Sequence, residues 1–163
     1  MFDSEGGVRV STVVIFGGTG FIGLHFTKHL LDNKLADKVI LADIKSPDRH
    51  PAARFLADEI SRGIVEYEEC DVRQRINLGK VTGTVALVAN FAAVHREPGH
   101  ASNEYYETNI PGAENVCAYA VDVNCDNILF TSSISPYGPT EFPKDEAVIP
   151  TPETAYGGSK LAA

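Results

Sequence analysis

Cationic side chains are in short supply in this sequence. Fourteen Lys and Arg stand against 22 Asp and Glu, for a net charge of −8. A chain this acidic lacks the basic face needed to neutralise nucleic-acid phosphates or an anionic membrane surface. Apolar runs are short as well. None approaches the ~20 residues of a membrane-spanning helix, and residues 1–11 lack a basic segment followed by an apolar one. These absences predict no nucleic-acid partner, no membrane partner, a cytoplasmic location and a small soluble ligand. Cysteine is scarce too: Cys70, Cys117 and Cys125 show no Cys-x-x-Cys spacing, and the odd count suits reduced, buried thiols rather than a disulfide framework. Internal repeats and low-complexity stretches are also missing.

What is present is a chain of 163 residues, 44% apolar and 22% charged, enough for one compact domain with a real core. Residues 10–16 form a β-branched run that ends in glycines, the pattern of a buried strand entering a tight turn. Ile22, Phe26, Leu30 and Leu31 then recur at helical spacing and predict a helix over 21–33. The alternation continues with a strand over 38–43, a loop over 47–51, a helix over 52–61 and strands over 64–69 and 84–90. A long helix follows within 102–123 despite Pro111 and Gly112, and a fifth strand over 127–132. Five prolines between 135 and 152 predict a surface loop. A last helix starts at Thr154 and runs to Ala163 with no stop signal, so residues 1–163 are expected to be one partial domain ending inside that helix. Strands alternating with helices imply an α/β fold, a doubly wound parallel sheet of Rossmann-like type.

The segment Gly17-Gly18-Thr19-Gly20-Phe21-Ile22-Gly23 lies between the first strand and the first helix. There, backbone N–H groups and the positive end of a helix meet a dinucleotide pyrophosphate. Missing Cβ atoms permit the turn at Gly17, the approach of phosphate at Gly20 and close packing of the helix at Gly23. Asp43 ends the second strand 20 residues beyond Gly23, where a carboxylate accepts hydrogen bonds from the adenosine ribose hydroxyls. Because Asp43 repels a 2′-phosphate, NAD is preferred over NADP, although Lys45 and Arg49 are near enough to hold a phosphate if their loop folds back.

Tyr156 and Lys160, four residues apart, share one face of the last helix. A free tyrosine is a poor base at neutral pH, but a nearby ammonium and a cationic nicotinamide both favour phenolate. Such a tyrosine can take a proton from a substrate hydroxyl while hydride leaves for NAD. Ser132 and Ser133 end the fifth strand at the carboxyl edge of the sheet, where ligands of this architecture bind.

Six landmarks stand in order: Gly17-Gly18-Thr19-Gly20-Phe21-Ile22-Gly23, Asp71-Val72, Asn90-Phe91-Ala92-Ala93, Thr108-Asn109, Ser132-Ser133 with Tyr137-Gly138, and Tyr156-Gly157-Gly158-Ser159-Lys160. Together they make the chain resemble the extended short-chain dehydrogenases/reductases, and among these the NAD-dependent epimerases and dehydratases. The resemblance implies that Gly17, Gly20, Phe21, Ile22 and Gly23 bind the pyrophosphate and Asp43 the ribose. Asp71 and Val72 flank the adenine, and Phe91, Ala92 and Ala93 line the cofactor. Asn109 steadies the active-site region, and Ser133, four residues before the Tyr-Gly pair, is the catalytic serine. Tyr156 becomes the acid/base, with Lys160 supporting it and holding the nicotinamide ribose. Ile134 and Ser135 stand where 4,6-dehydratases carry an Asp-Glu pair, so the pattern is nearer nucleotide-sugar 4-epimerases and related dehydrogenases. A nucleotide-sugar substrate, NAD as cofactor and a homodimer of the complete protein are implied. So is a missing C-terminal substrate lobe, which predicts a piece that binds cofactor but is inactive or nearly so.

Two other functions fit the same residues, an NADP-dependent carbonyl reductase and a non-catalytic NAD-binding module. His25 and His29, four apart on the first helix, lack a third ligand in sequence and are read as packing or solvent contacts. His95 and Arg96 are read either as substrate-facing or as plain loop residues. Glu66, Glu68 and Glu69 are read as a solvated edge, and Tyr105 and Tyr106 as packing or a dimer face.

Overall fold

A computed structural model describes residues 11–95, 98–139 and 142–163. Its elements are β1 (Ser11–Phe16), α1 (Phe21–Asp32), β2 (Lys38–Asp43), α2 (Ala57–Ser61), β3 (Val65–Glu69), β4 (Thr84–Asn90), α3 (Ser102–Asp122), β5 (Ile128–Phe130) and α4 (Ala155–Ala162). The strands form a single parallel sheet in the order β3-β2-β1-β4-β5. The chain moves outward from β1 to β3, then crosses to the other side for β4 and β5. The order therefore reverses between β1 and β4, whose carboxyl ends open a crevice.

Both sheet faces are buried because the strands are apolar at consecutive positions rather than alternate ones. Val14, Phe16, Ile40, Ala42 and Val88 face α3, where Val116, Tyr119 and Ala120 cover them. Val13, Ile15, Val39, Leu41 and Ala89 face Leu24 and Leu30 of α1, together with Ala52, Ala53 and Leu56. Each fully buried side chain of this size stabilises the fold by about 1.5–3 kcal/mol. The ring of Tyr119 meets Phe16 edge-on at 5.4 Å. Its hydroxyl is the one buried side-chain polar atom without a partner among the described residues.

Several expectations need correction. The helix over 52–61 is two pieces: a 3-10 segment, Pro51–Leu56, precedes the short α2. Leu56, at φ −113° and ψ 10°, breaks the α conformation between them. The fifth strand is three residues rather than six, because β5 has a neighbour on one side only and the chain turns away after Phe130. Position 10, expected in the first strand, lies outside the described residues. The acidic edge is more than a solvated face: Glu66 pairs with Lys38 at 2.8 Å, and Glu68 accepts from the backbone N–H groups of Gly79 and Lys80. The first contact joins β3 to β2, and the Glu68 contacts fasten the segment between β3 and β4 to β3. Cys70 and Cys125 are buried free thiols, but Cys117 is exposed on α3. Pro111 sits inside α3 without ending it, giving up one N–H bond. The neighbouring Gly112 lets the helix approach Val72, whose Cγ2 would lie 2.9 Å from a Cβ there. No described helix is long and apolar enough to cross a membrane.

Candidate functional site

The crevice starts at the glycine turn after β1. Gly17 adopts φ 71°, and its N–H donates to the Ala42 carbonyl at 2.9 Å, tying the turn to β2. A Cβ at Gly17 would sit 2.6 Å from the Ala92 nitrogen, so both the dihedral and the approach of the β4 loop require glycine. Gly18 is equally constrained, since its Cβ would come 2.6 Å from the Ile15 carbonyl oxygen, a requirement the sequence reading did not assign. Gly23 packs the first turn of α1 against Gly18, so its contact is with the glycine turn itself. Gly20 is open by comparison, its nearest neighbour being the Gly17 oxygen at 3.3 Å. It caps α1 without a side-chain bond, so the first N–H groups of the helix, on Phe21, Ile22 and Gly23, point out as an anion-binding end.

Asp43 is held in place by backbone donors. The Thr19 N–H donates to Oδ2 at 3.1 Å and the Lys45 N–H to Oδ1 at 3.2 Å, leaving carboxylate lone pairs for a ligand. The buried Thr19 hydroxyl donates to the Lys45 carbonyl at 2.9 Å, drawing the loop after β2 against the glycine turn. Thr19 was not singled out by sequence, although its place inside the motif is the signal that marks it.

A cleft of about 580 Å³ runs from this point. Gly17, Gly20, Phe21 and Asp43 line it, with Asp71 and Val72 beyond β3 and Phe91, Ala92 and Ala93 after β4. Asp71 forms a two-pronged ion pair with Arg73, Nε to Oδ1 at 2.9 Å and Nη2 to Oδ2 at 2.6 Å. The Arg73 hydrogen bonds hold its carboxyl below the usual carboxylate range. Cys70 also lines the cleft, but burial pushes its thiol up to about 11, so it is no nucleophile at neutral pH.

A second recess of about 210 Å³ shares Gly17, Gly20, Phe21, Phe91, Ala93 and His95 with the first, and adds Ile22, Thr131, Tyr156 and Lys160. The two make one continuous groove from Asp43 to Tyr156. Helix α4 carries its far end. The Thr154 hydroxyl accepts from the Gly157 N–H at 3.0 Å as an N-cap. Lys160 is buried with its ammonium 4.0 Å from the centre of the Phe130 ring, and burial lowers its pKa to about 8. Tyr156 packs beside Tyr105, ring centres 6.1 Å apart. His95 is exposed at the junction, and Arg96 lies outside the described residues.

Two expected site residues stand elsewhere. Asn109 does not line the groove, because its amide is committed behind the wall. Its Oδ1 accepts from the Val94 N–H at 2.9 Å, while its Nδ2 donates to the Val94 carbonyl at 3.1 Å and to Ser159 Oγ at 2.9 Å. Ser159 in turn donates to the Tyr156 carbonyl at 2.8 Å. Asn109 thus acts on the groove through the segments it ties together. Ser133 does not line the recess either; its hydroxyl accepts from the Ser135 N–H at 3.1 Å and lies 3.2 Å from the Ser135 hydroxyl. The residue that lines the recess just after β5 is Thr131. Of the paired histidines, His25 lies between Phe21 and Phe55 with tilted rings, centres at 4.5 and 5.7 Å, and His29 meets Asn33.

Similarity to known proteins agrees with this architecture. A match to the NAD dependent epimerase/dehydratase family spans residues 13–163. UDP-glucose 4-epimerase 2 of Oryza sativa subsp. japonica is 31% identical over 166 residues, covering 96% of this chain and 39% of its own length. A solved UDP-glucose 4-epimerase from Bifidobacterium longum, in complex with NAD+ and UDP, is 28% identical with a TM-score of 0.72, covering 92% of this chain and 46% of its own. A dTDP-glucose 4,6-dehydratase from Streptomyces venezuelae, solved with NAD bound, is 25% identical with a TM-score of 0.78, covering 93% of this chain and 48% of its own. The chain therefore spans less than half the length of each.

Proposed function

Because the chain belongs to the NAD-dependent epimerase/dehydratase family, with NAD as cofactor, we propose that the protein oxidises a nucleotide-sugar hydroxyl as a 4-epimerase or related oxidoreductase. The observation that carries this reading is the continuous groove with a glycine cradle at one end and Tyr156 with Lys160 at the other. The residues fit a dinucleotide. The open N-terminus of α1 beside the glycine turn matches a pyrophosphate. In this reading Asp43 holds the adenosine ribose and Asp71 and Val72 flank the adenine. Phe91, Ala92 and Ala93 form the middle wall.

The chemistry that NAD supplies when bound is reversible hydride transfer at a carbinol carbon. Tyr156 takes the proton from the sugar hydroxyl and returns it in the reverse step. Lys160, against which the Phe130 ring packs, keeps its ammonium available for the nicotinamide ribose and for the phenolate. Ser133 binds the reacting oxygen once its hydroxyl turns from Ser135, and Thr131 supports it from the end of β5. The protein acts as a homodimer through α3 and α4, which carry the exposed Val121 and Leu161. Tyr156→Phe in the whole protein is the direct test, with hydride transfer falling at least ~100-fold and NAD affinity changing less than about threefold. An unchanged rate removes Tyr156 from the mechanism.

A further inference from the structure

Tyr105 is fully buried, at 1% exposure, yet it belongs to neither of the two apolar clusters that cover the sheet. Its ring meets Tyr156 instead, with centres 6.1 Å apart and planes tilted by 55°, within the range in which aromatic pairs attract. His100 also meets Tyr105, edge-on at 5.8 Å. That imidazole is itself held by Glu104, Nδ1 to Oε2 at 2.9 Å, and Glu104 Oε1 accepts from the Ala101 N–H at 3.1 Å. Tyr156 lines the recess, whereas Tyr105 lines neither the recess nor the cleft. Tyr105 therefore stands one layer behind the groove, between a braced imidazole and the phenol at the groove's far end.

Tyr156 needs such a wall because of where it stands. Long side chains in a helix lean back over the turn on their N-terminal side, but Tyr156 is the second residue of α4, with only Ala155 and the cap Thr154 before it. Among the described residues its hydroxyl makes no hydrogen bond, so packing rather than an anchor sets the direction of the ring. The backbone beneath is fixed by the same stretch of α3. The Tyr106 hydroxyl reaches over Gly158, 2.5 Å from where a Cβ would stand, and Asn109 donates to Ser159 Oγ at 2.9 Å. We propose that Tyr105 is a positioning residue, whose ring, braced by His100 and Glu104, fixes the Tyr156 side chain in one orientation in the recess. The proposal rests on reading Tyr156 as the acid/base. A phenol free to swing is within reach of the reacting hydroxyl for only part of the time, and the rate falls with that fraction while ligand binding does not.

The test pairs NMR of the protein carrying labelled tyrosine, with Tyr156 assigned from Tyr156→Phe, with steady-state turnover of UDP-glucose by the whole protein. In the unaltered protein Tyr156 is expected to hold a single χ1 rotamer, with cross-peaks between its ring and that of Tyr105. Tyr105→Leu keeps apolar bulk but removes the ring. It is expected to average the Tyr156 rotamer and to lower kcat about tenfold to a hundredfold, with KM and NAD affinity changing less than about threefold. Tyr105→Phe, which keeps the ring, is expected to restore the single rotamer and to bring kcat within about twofold of the unaltered protein. Retained NAD affinity shows that each variant is folded. Several Tyr156 rotamers in the unaltered protein, a single rotamer retained in Tyr105→Leu, or a Tyr105→Phe variant as impaired as Tyr105→Leu overturns the positioning role. The rotamer measurement needs no turnover, so it decides that role even if UDP-glucose is not accepted. Tyr156 as acid/base fails separately, if Tyr156→Phe keeps its rate.

Discussion

Lys160 shows how a single residue sets function against stability. Its ammonium is buried on an aromatic face with no carboxylate partner among the described residues, and burial brings its pKa down from 10.5 to about 8. The Phe130 ring offsets part of that cost. A base whose pKa is lower in the folded than in the unfolded chain leaves the unfolded state holding more protons between the two values. Its destabilisation is thus fully present below about pH 8 and is relieved as pH climbs through about 8 toward 10.5. Lys160→Met, similar in volume but uncharged, is expected to stabilise the fold at pH 7 by about 1 kcal/mol, or about 3 °C in Tm, and to weaken NAD binding. Thermal melts across pH check the sign: the gap between the two proteins should close above pH 8, and a gap that widens there contradicts the assignment.

Among the elements, those with unambiguous patterning were legible at once. Strands β2 and β4 have the expected ranges, because each apolar run, residues 39–42 and 85–89, is bounded by polar residues, Lys38 with Asp43 and Thr84 with Asn90. Thr154 marks the start of α4, since its hydroxyl occupies the cap. The split of the helix before β3 was not legible, because the same residues satisfy a 3-10 and an α-helical spacing over so short a run. Ser159 escaped notice for another reason: its partner Asn109 is on a different helix, and no local pattern reports a contact across fifty residues. Thr131 and Gly18 were passed over because their importance comes from what the fold brings opposite them. The Ser159 contact supports a prediction for the helix pair. Ser159→Ala leaves the buried Asn109 amide short of a partner and should cost about 1–3 kcal/mol. It should also loosen the first turn of α4, seen as faster backbone hydrogen exchange there while β1 and β2 remain protected.

For the molecule as a whole, binding and folding are linked, because the groove is assembled from the glycine turn, the ends of four strands and α4. A ligand that binds only the folded state adds about 2.7 kcal/mol at a hundred times its Kd, which for a domain of this size raises Tm by about 5–10 °C. Saturating NAD is expected to produce such a shift, measured by differential scanning fluorimetry. No shift at concentrations shown by titration to saturate the site contradicts coupling of the groove to the fold.

The latch between the Thr19 hydroxyl and the Lys45 carbonyl also bears on how this site can change over evolutionary time. It joins the glycine turn to the loop after β2, so a substitution that reshapes one is felt by the other. Exchange at Thr19 or within the glycines therefore disturbs the turn and the loop together.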